Sequence, residues 1–322
     1  MTFDSDRLSA IADAAFAATD DNPLAETHAL VVAQHGDIVF ERYAYGTDET
    51  TTFLSWSIAK SVAAMLCGVL VGDGRISLDQ LVNAAEWPAG DPRGQITIKD
   101  LLQMRSGLSW NEDYVDNQAS DVIEMLFGSG KDDVAAFAAK MALEHPPGAE
   151  WYYSSGTTNL LTRALSEAIG GGSREFETEL VDHLLKPAGM AAPTIKFDEA
   201  GTWVGSSYLY ATARDYLALG ELMRNDGIAS AGTGERLLPD GWVDACVEDH
   251  ATCPESGQGY GLQWWLSRDG HGSFSANGYE GQRLQISREL GTTFVRLGKT
   301  SADFSEDLSA FYRDITSCFL GR

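Results

Sequence analysis

Strand-forming runs gather toward the two ends of this 322-residue chain and helical patterns fill its middle, which restricts how it can fold. Near the start, Ala29-Leu-Val-Val-Ala-Gln-His-Gly-Asp-Ile-Val-Phe-Glu-Arg-Tyr43 reads as a β-hairpin turning at His35-Gly36-Asp37. Near the end, Gly259–Leu266, Ser273–Asn277, Gln282–Ser287 and Thr292–Leu297 read as four short strands, and Phe304–Phe319 as a closing helix. Between them, helices are predicted around Val122–Phe127, Val134–Leu143, Thr158–Ile169 and Phe176–Leu185. Capping boxes at Thr97-Ile-Lys-Asp100 and Thr212-Ala-Arg-Asp215 open two more, the second running through Met223. The expectation is one domain over 1–322 of the α/β (α+β) class, with a sheet built from both chain ends. Its α/β part is predicted at about 1–78 and 241–322 and its mostly helical part at about 79–240. A cleft between two such parts is where ligand sites often lie.

Composition narrows the function classes. Hydrophobic residues at 44% indicate a chain that buries a core, so disorder is excluded. The formal charge of −24 argues against nucleic acid or an anionic membrane surface as a partner, because phosphate binding needs a basic patch. The N-terminus, Met1 to Asp20, reads as an acidic amphipathic helix through Leu8, Ile11, Ala14 and Phe16. It lacks the basic start and small-residue cleavage site of a signal peptide, so a cytoplasmic location is the expectation. Cys67 falls in an apolar helix, and the spacing of Cys246, His250 and Cys253 fits no zinc pattern. No metal and no cofactor is expected.

The chemistry points to Ser55-Trp-Ser-Ile-Ala-Lys-Ser61, which leads into the apolar helical stretch Val62 to Leu70. Ser57 and Lys60 are three apart and share a helical face, so the amine can reach the hydroxyl. A serine hydroxyl is a weak nucleophile until a neighbour removes its proton. The start of a helix adds unpaired N–H groups and a favourable dipole for a developing oxyanion. Such a serine needs a partner to carry the proton to the leaving group, and a tyrosine whose pKa is lowered by a nearby ammonium is one candidate. Tyr152 and Tyr153 sit on a loop after His145-Pro-Pro-Gly-Ala-Glu-Trp151.

Taken together, these segments resemble the serine β-lactamase-related hydrolases. That superfamily holds class C β-lactamases, D-Ala-D-Ala peptidases, β-lactamase-fold esterases and 6-aminohexanoate-dimer hydrolases. Ser57-Ile-Ala-Lys60 stands for S-x-x-K, and Pro147-Gly148 followed by Tyr153-Ser154-Ser155 resembles PG…Y-x-N/S. Ile96-Thr-Ile-Lys-Asp-Leu-Leu-Gln-Met-Arg-Ser-Gly-Leu108 is similar to I-T-I-x-x-L-L-x-x-x-S-G-L, and Leu209-Tyr-Ala-Thr-Ala-Arg-Asp215 to L-Y-A-T-A-x-D. The resemblance runs from the hairpin at Ala29 to the last helix. It implies a β-lactamase/transpeptidase-like fold, an antiparallel sheet flanked by helices plus a mostly helical subdomain, with Ser57, Lys60 and Tyr153 as the catalytic residues.

The family's K-T-G or H-x-G strand is where this chain departs. Phe274-Ser-Ala-Asn-Gly-Tyr-Glu-Gly-Gln282 aligns by order, but Ala276 stands in place of Lys or His. Lys299-Thr300-Ser301 lacks the glycine and reads as a polar turn. A cation at Ala276 would hold the carboxylate of β-lactams and peptidoglycan stem peptides. Its absence turns the expectation toward the esterase and 6-aminohexanoate-dimer hydrolase branch, acting on small esters or linear amides. The resemblance then implies an oxyanion hole from the Ser57 and Tyr279 N–H groups. Trp110, Tyr114, Ser155, Asn277 and Gly278 are its implied substrate-binding residues. The rivals are a β-lactamase or D-Ala-D-Ala peptidase, and a catalytically silent ligand-binding protein. A Ser-His-Asp enzyme is disfavoured because no G-x-S-x-G elbow occurs and the six histidines are scattered.

Overall fold

The computed structural model describes residues 3–19, 21–114, 120–229 and 234–321. Helix α1 (Ser5–Ala15) starts at Asp4, whose carboxylate accepts the Arg7 N–H. It stops at Ala15, and Met1, Thr2 and Asp20 of the longer predicted helix lie outside the described residues. Strands β1 (Thr27–Gln34) and β2 (Asp37–Tyr43) form the expected hairpin around a two-residue turn. After β3 (Thr52–Leu54) comes α2 (Ile58–Gly72). The helical middle holds α3 (Ile98–Leu102), α4 (Asp121–Phe127), α5 (Val134–Ala139), α6 (Ser155–Ile169) and α7 (Ser173–Glu177), the last continuing as a π-helical segment Thr178–Leu185. Then follow β4 (Thr194–Ile195), β5 (Leu209–Thr212), α8 (Ala213–Arg224) and α9 (Trp242–Cys246). The last part supplies β6 (Ala251–Thr252), β7 (Gly259–Tyr260), β8 (Trp265–Leu266), β9 (Ser273–Gly278), β10 (Gln282–Ser287), β11 (Thr292–Gly298) and α10 (Ser305–Ser317).

Eight strands form one antiparallel sheet in the order β2-β1-β11-β10-β9-β8-β7-β6, so the two ends of the chain meet at β1 and β11. Alternation along each strand gives the sheet two faces. Ala29, Val31 and Ala33 of β1 join Phe274, Ala276, Leu284, Ile286, Val295 and Leu297 on the inner face. The same core continues through α2, α6 and α8 into the helical part. Leu30, Val32 and Phe294 point outward and pack beneath α1 and α10 against Leu8, Ala12, Phe311 and Ile315. Among the described residues, no helix is long and apolar enough to cross a membrane.

Three local expectations need correction. Gly259–Leu266 is not one strand but a hairpin of β7 and β8, in which the Gly261 N–H bonds the Trp264 carbonyl and Gln263 takes a φ of 63°. The helix from Val134 ends at Ala139 rather than Leu143, because Leu143 is drawn into a bridge with Leu108. Two strands, β4 and β5, lie inside the region read as helical and form a small sheet with β3 in the order β3-β5-β4. Both capping boxes are present, at Thr97/Asp100 and Thr212/Asp215.

Gln263 explains how the hairpin is tied to the helices. Its side-chain N–H groups donate to the Leu101 and Leu102 carbonyls at the end of α3. Its Oε1 accepts from Thr158 on α6, and its carbonyl accepts from Ser61 on α2 at 2.6 Å. The residue is buried, so removing its amide strands several polar groups away from water. Gln263→Ala is expected to destabilise the fold by roughly 2–4 kcal/mol in urea denaturation; a loss below about 0.5 kcal/mol would contradict this role.

Candidate active site

Ser57 is the N-cap residue of α2, and the segment before it is strained. Trp56 has a φ of 46°, in the left-handed region that a bulky side chain avoids. The surroundings enforce it. The Ser55 N–H donates to the Leu209 carbonyl at 2.8 Å, and its hydroxyl donates to the Ser207 carbonyl at 3.0 Å. The Leu209–Asp215 motif thus acts as a brace: β5 pairs with β3, which runs directly into the serine. Strain held at such a position is a mark of a functional turn.

Lys60 lies one turn on, with 1% of its surface exposed. Its Nζ stands 2.8 Å from Ser57 Oγ, 2.9 Å from Ser155 Oγ and 3.0 Å from the Ser206 carbonyl. The Ser206 carbonyl can only accept. Ser155 donates its own proton to Glu112 at 2.5 Å, so toward Lys60 it too accepts. Two N–H bonds of the amine are therefore committed, and its third position faces Ser57. That position is an N–H in the ammonium and a lone pair in the neutral amine. Burial lowers the Lys60 pKa to about 8, opposed by the negative charge of Glu112 4.0 Å away.

Glu112 is the residue that the sequence reading passed over. Besides the Ser155 hydroxyl it accepts the Ser155 N–H at 2.8 Å and the Trp110 indole N–H at 2.5 Å. It therefore fixes the start of α6 and sets the field felt by the lysine. The sequence signal was weak, a carboxylate two positions from a tryptophan in a loop. Ser206 was missed as well; Asn159 of α6 accepts its N–H and holds it.

Tyr153 packs against Tyr260 and Trp265 of the β7–β8 hairpin, and Lys60 Nζ lies 5.1 Å from its ring centroid. Its loop is seated by the Ile96–Leu108 motif: Gly107 accepts the Glu144 and His145 N–H groups, and Met104 accepts that of Tyr152. A Cβ at Gly107 would lie 2.2 Å from the His145 carbonyl oxygen, so the approach requires glycine. Sequence reasoning favoured a tyrosine of lowered pKa, and the structure reverses this. Burial and the Glu112 charge push Tyr153 well above the usual tyrosine range, outweighing its hydrogen bond with Ser57. The hydroxyl stays protonated and is a donor.

Gly278 ends β9 against the serine segment. A Cβ there would meet the Ser55 carbonyl oxygen at 2.4 Å, so glycine is needed for the close approach that sets Tyr279 beside the serine segment. The Tyr279 ring meets Trp56 edge-on at 5.4 Å and stacks on Tyr114 at 4.5 Å. Tyr114 is held over the site by that stacking. Ala276 faces inward and is buried in the core that includes Ile58 of α2.

Three of the expected substrate-binding residues are displaced from that role. Trp110 is buried, its ring packed against Gly156 and Phe137 and its N–H spent on Glu112, so it supports the floor. Ser155 is fully buried with its hydroxyl held by Lys60 and Glu112, so it has no free group to offer a substrate. Asn277 sits one residue from inward-facing Ala276 and so points to the outer face, where Arg283 donates to it.

The family model for beta-lactamase matches residues 13–315. The chain is 26% identical over 289 residues to a 6-aminohexanoate-dimer hydrolase from Paenarthrobacter ureafaciens, covering 84% of this chain and 72% of that protein. Among solved structures, a penicillin-binding protein from Bacillus halodurans aligns with a TM-score of 0.70 at 18% identity, over 95% of this chain and 98% of that one. A D-stereospecific amidohydrolase from Streptomyces sp. aligns with a TM-score of 0.68 at 17% identity, over 98% of both chains. At these identities the solved structures speak to a shared fold.

The geometry gives a titration to measure. NMR of ε-¹³C-labelled lysine should show Lys60 titrating near pH 8, since burial lowers it to about 8. Glu112→Gln removes a charge that favours the ammonium, so the midpoint should move lower still. A midpoint that rises in that variant would contradict the assigned electrostatics.

Proposed function

Because the chain belongs to the beta-lactamase family and is a hydrolase of that family, we propose that it cleaves carboxylic esters or small linear amides through an acyl-enzyme on Ser57. The observation that carries this reading is the buried Lys60 amine, aimed at Ser57 Oγ from 2.8 Å. The neutral amine takes the hydroxyl proton as the oxygen attacks the substrate carbonyl. The oxyanion that forms lies between the N–H groups of Ser57 and Tyr279, where one donor is worth on the order of 10² to 10³ in rate. Tyr153, kept neutral, donates its proton to the leaving alkoxide or amine and recovers one from the Lys60 ammonium. The net result is one proton moved from Ser57 to the leaving group, and water releases the acyl group by the reverse path.

Several features favour esters and small amides over β-lactams. The inward position on β9 that would carry a cation is the methyl group of Ala276, packed in the core. The negative charge of Glu112 beside Lys60 further disfavours a carboxylate at this point. Stacked Tyr114 and Tyr279 instead offer a flat aromatic wall for a small acyl or leaving group. The 6-aminohexanoate-dimer hydrolase relative agrees with a linear amide as one substrate type. A small-molecule substrate, action without metal or cofactor and a cytoplasmic setting remain part of this proposal.

Hydrolysis of short-chain p-nitrophenyl esters and of a chromogenic cephalosporin tests the reading. Ester turnover should exceed cephalosporin turnover, and Ser57→Ala should lower it by on the order of 10⁴ or more with the fold intact. Tyr153→Phe should cost roughly 10² to 10⁴ in kcat. Because Lys60 must be neutral, kcat/KM should rise with pH to a plateau above about 8. Ester turnover that survives Ser57→Ala, or cephalosporin as the better substrate, would overturn the proposal.

A further inference from the structure

A second cavity lies on the opposite face of the sheet from α2, between β8–β10 and α10. It measures about 440 Å³, within the range of small-molecule sites at about 300–1,000 Å³. Its floor is Arg283, which pairs across the sheet with Asn277 on the outward side of β9 and β10. Here the outer face changes from the apolar residues under α1 to Ser275, Asn277, Arg283 and Gln285.

The Arg283 guanidinium is only partly satisfied. Nη1 donates to Ser275 Oγ at 2.7 Å and to Asn277 Oδ1 at 2.5 Å, and the plane lies 4.4 Å from the Tyr312 ring centroid. Nε is shut off from solvent and has no hydrogen-bond partner among the described residues. No carboxylate forms an ion pair with Arg283 among the described residues, although burial works against its charge. A half-buried cation without an ion-pair partner is poised to gain from an anion.

The rim has the same sign. Arg313 and Arg268 line the cavity, the second already engaged by Asp249 at 2.9 Å. The one lining carboxylate, Asp269, turns Oδ1 to the His271 N–H at 2.9 Å. Three arginines therefore converge on one cavity of a chain whose formal charge is −24. Arg283 Nη2, which makes no hydrogen bond among the described residues, is the donor left to hold a carboxylate oxygen through a charge-assisted bond. Thr316 and Ser317 bring the carbonyl end of α10 to the same cavity, a negative dipole end that disfavours a dianion.

We propose that this cavity is a binding site for a small organic monocarboxylate, gripped by Arg283 and screened at the rim by Arg313. The site is separate from Ser57 and does not depend on the reaction proposed there.

Calorimetric titration of the full chain with hexanoate, benzoate and inorganic phosphate at constant ionic strength tests it. Wild type should bind one carboxylate per chain, more tightly than phosphate. Arg283→Gln should weaken binding at least tenfold. Ser309→Trp, on the exposed face of α10 where it lines the cavity, should do the same by filling the space while Arg283 and its hydrogen bonds stay in place. Absence of carboxylate binding to wild type, tighter binding of phosphate, or unchanged carboxylate affinity in Arg283→Gln or Ser309→Trp would each overturn the proposal.

Discussion

The site depends on one desolvated amine. Lys60 lies at the buried start of α2, and its Nζ has a serine hydroxyl, a backbone carbonyl and the candidate nucleophile as its only close hydrogen-bond partners among the described residues. In water such an amine holds its proton to a pH above 10. Burial brings it down to about 8, where the neutral form that can accept a proton is well populated. Glu112 limits the shift from 4.0 Å and fixes Ser155, so that the two N–H bonds not aimed at Ser57 have defined acceptors. Burial, reinforced by the same carboxylate, raises Tyr153 and keeps its hydroxyl protonated. Burial thus moves two neighbouring groups in opposite directions, while the negative charge raises both.

The fold brings these groups together from distant stretches of chain. Ser57 and Lys60 come from α2, Glu112 from the loop after Leu108, Tyr153 from the loop before α6, and Tyr279 from the end of β9. The shared motifs serve as the joints between them. Leu209–Asp215 braces the serine turn through β5, Ile96–Leu108 seats the tyrosine loop through Gly107, and Gly278 permits β9 to close against Ser55. Gln263 then ties the β7–β8 hairpin, on which Tyr153 packs, to α2, α3 and α6. Each joint is a buried polar contact or a close backbone approach, so its loss would be felt at the site.

Much of this was legible in the sequence where the signal is local. The S-x-x-K spacing is a statement about helical period, and the capping boxes about four consecutive residues. The strands at both chain ends followed from alternation, and the meeting of β1 with β11 is the way those ends close one sheet. What was not legible depends on non-local placement. Glu112 acquires its role from a serine 43 positions away, a relation that no spacing rule encodes. The direction of the Tyr153 shift follows from its burial in the assembled site, reinforced by that same carboxylate. Asn277 shows the opposite case: strand alternation with Ala276 facing inward already implied an outward side chain. Arg283 was invisible because an arginine on a strand carries no sign of whether an acid will meet it.

The central claim is that burial and orientation of Lys60 make Ser57 nucleophilic. Intact-mass measurement after treatment with a fluorophosphonate tests it most directly. One adduct on wild type, absent from both Ser57→Ala and a folded Lys60→Met, is the predicted result. A wild-type protein that stays unlabelled with its fold intact, or labelling that persists without the lysine, would contradict the account.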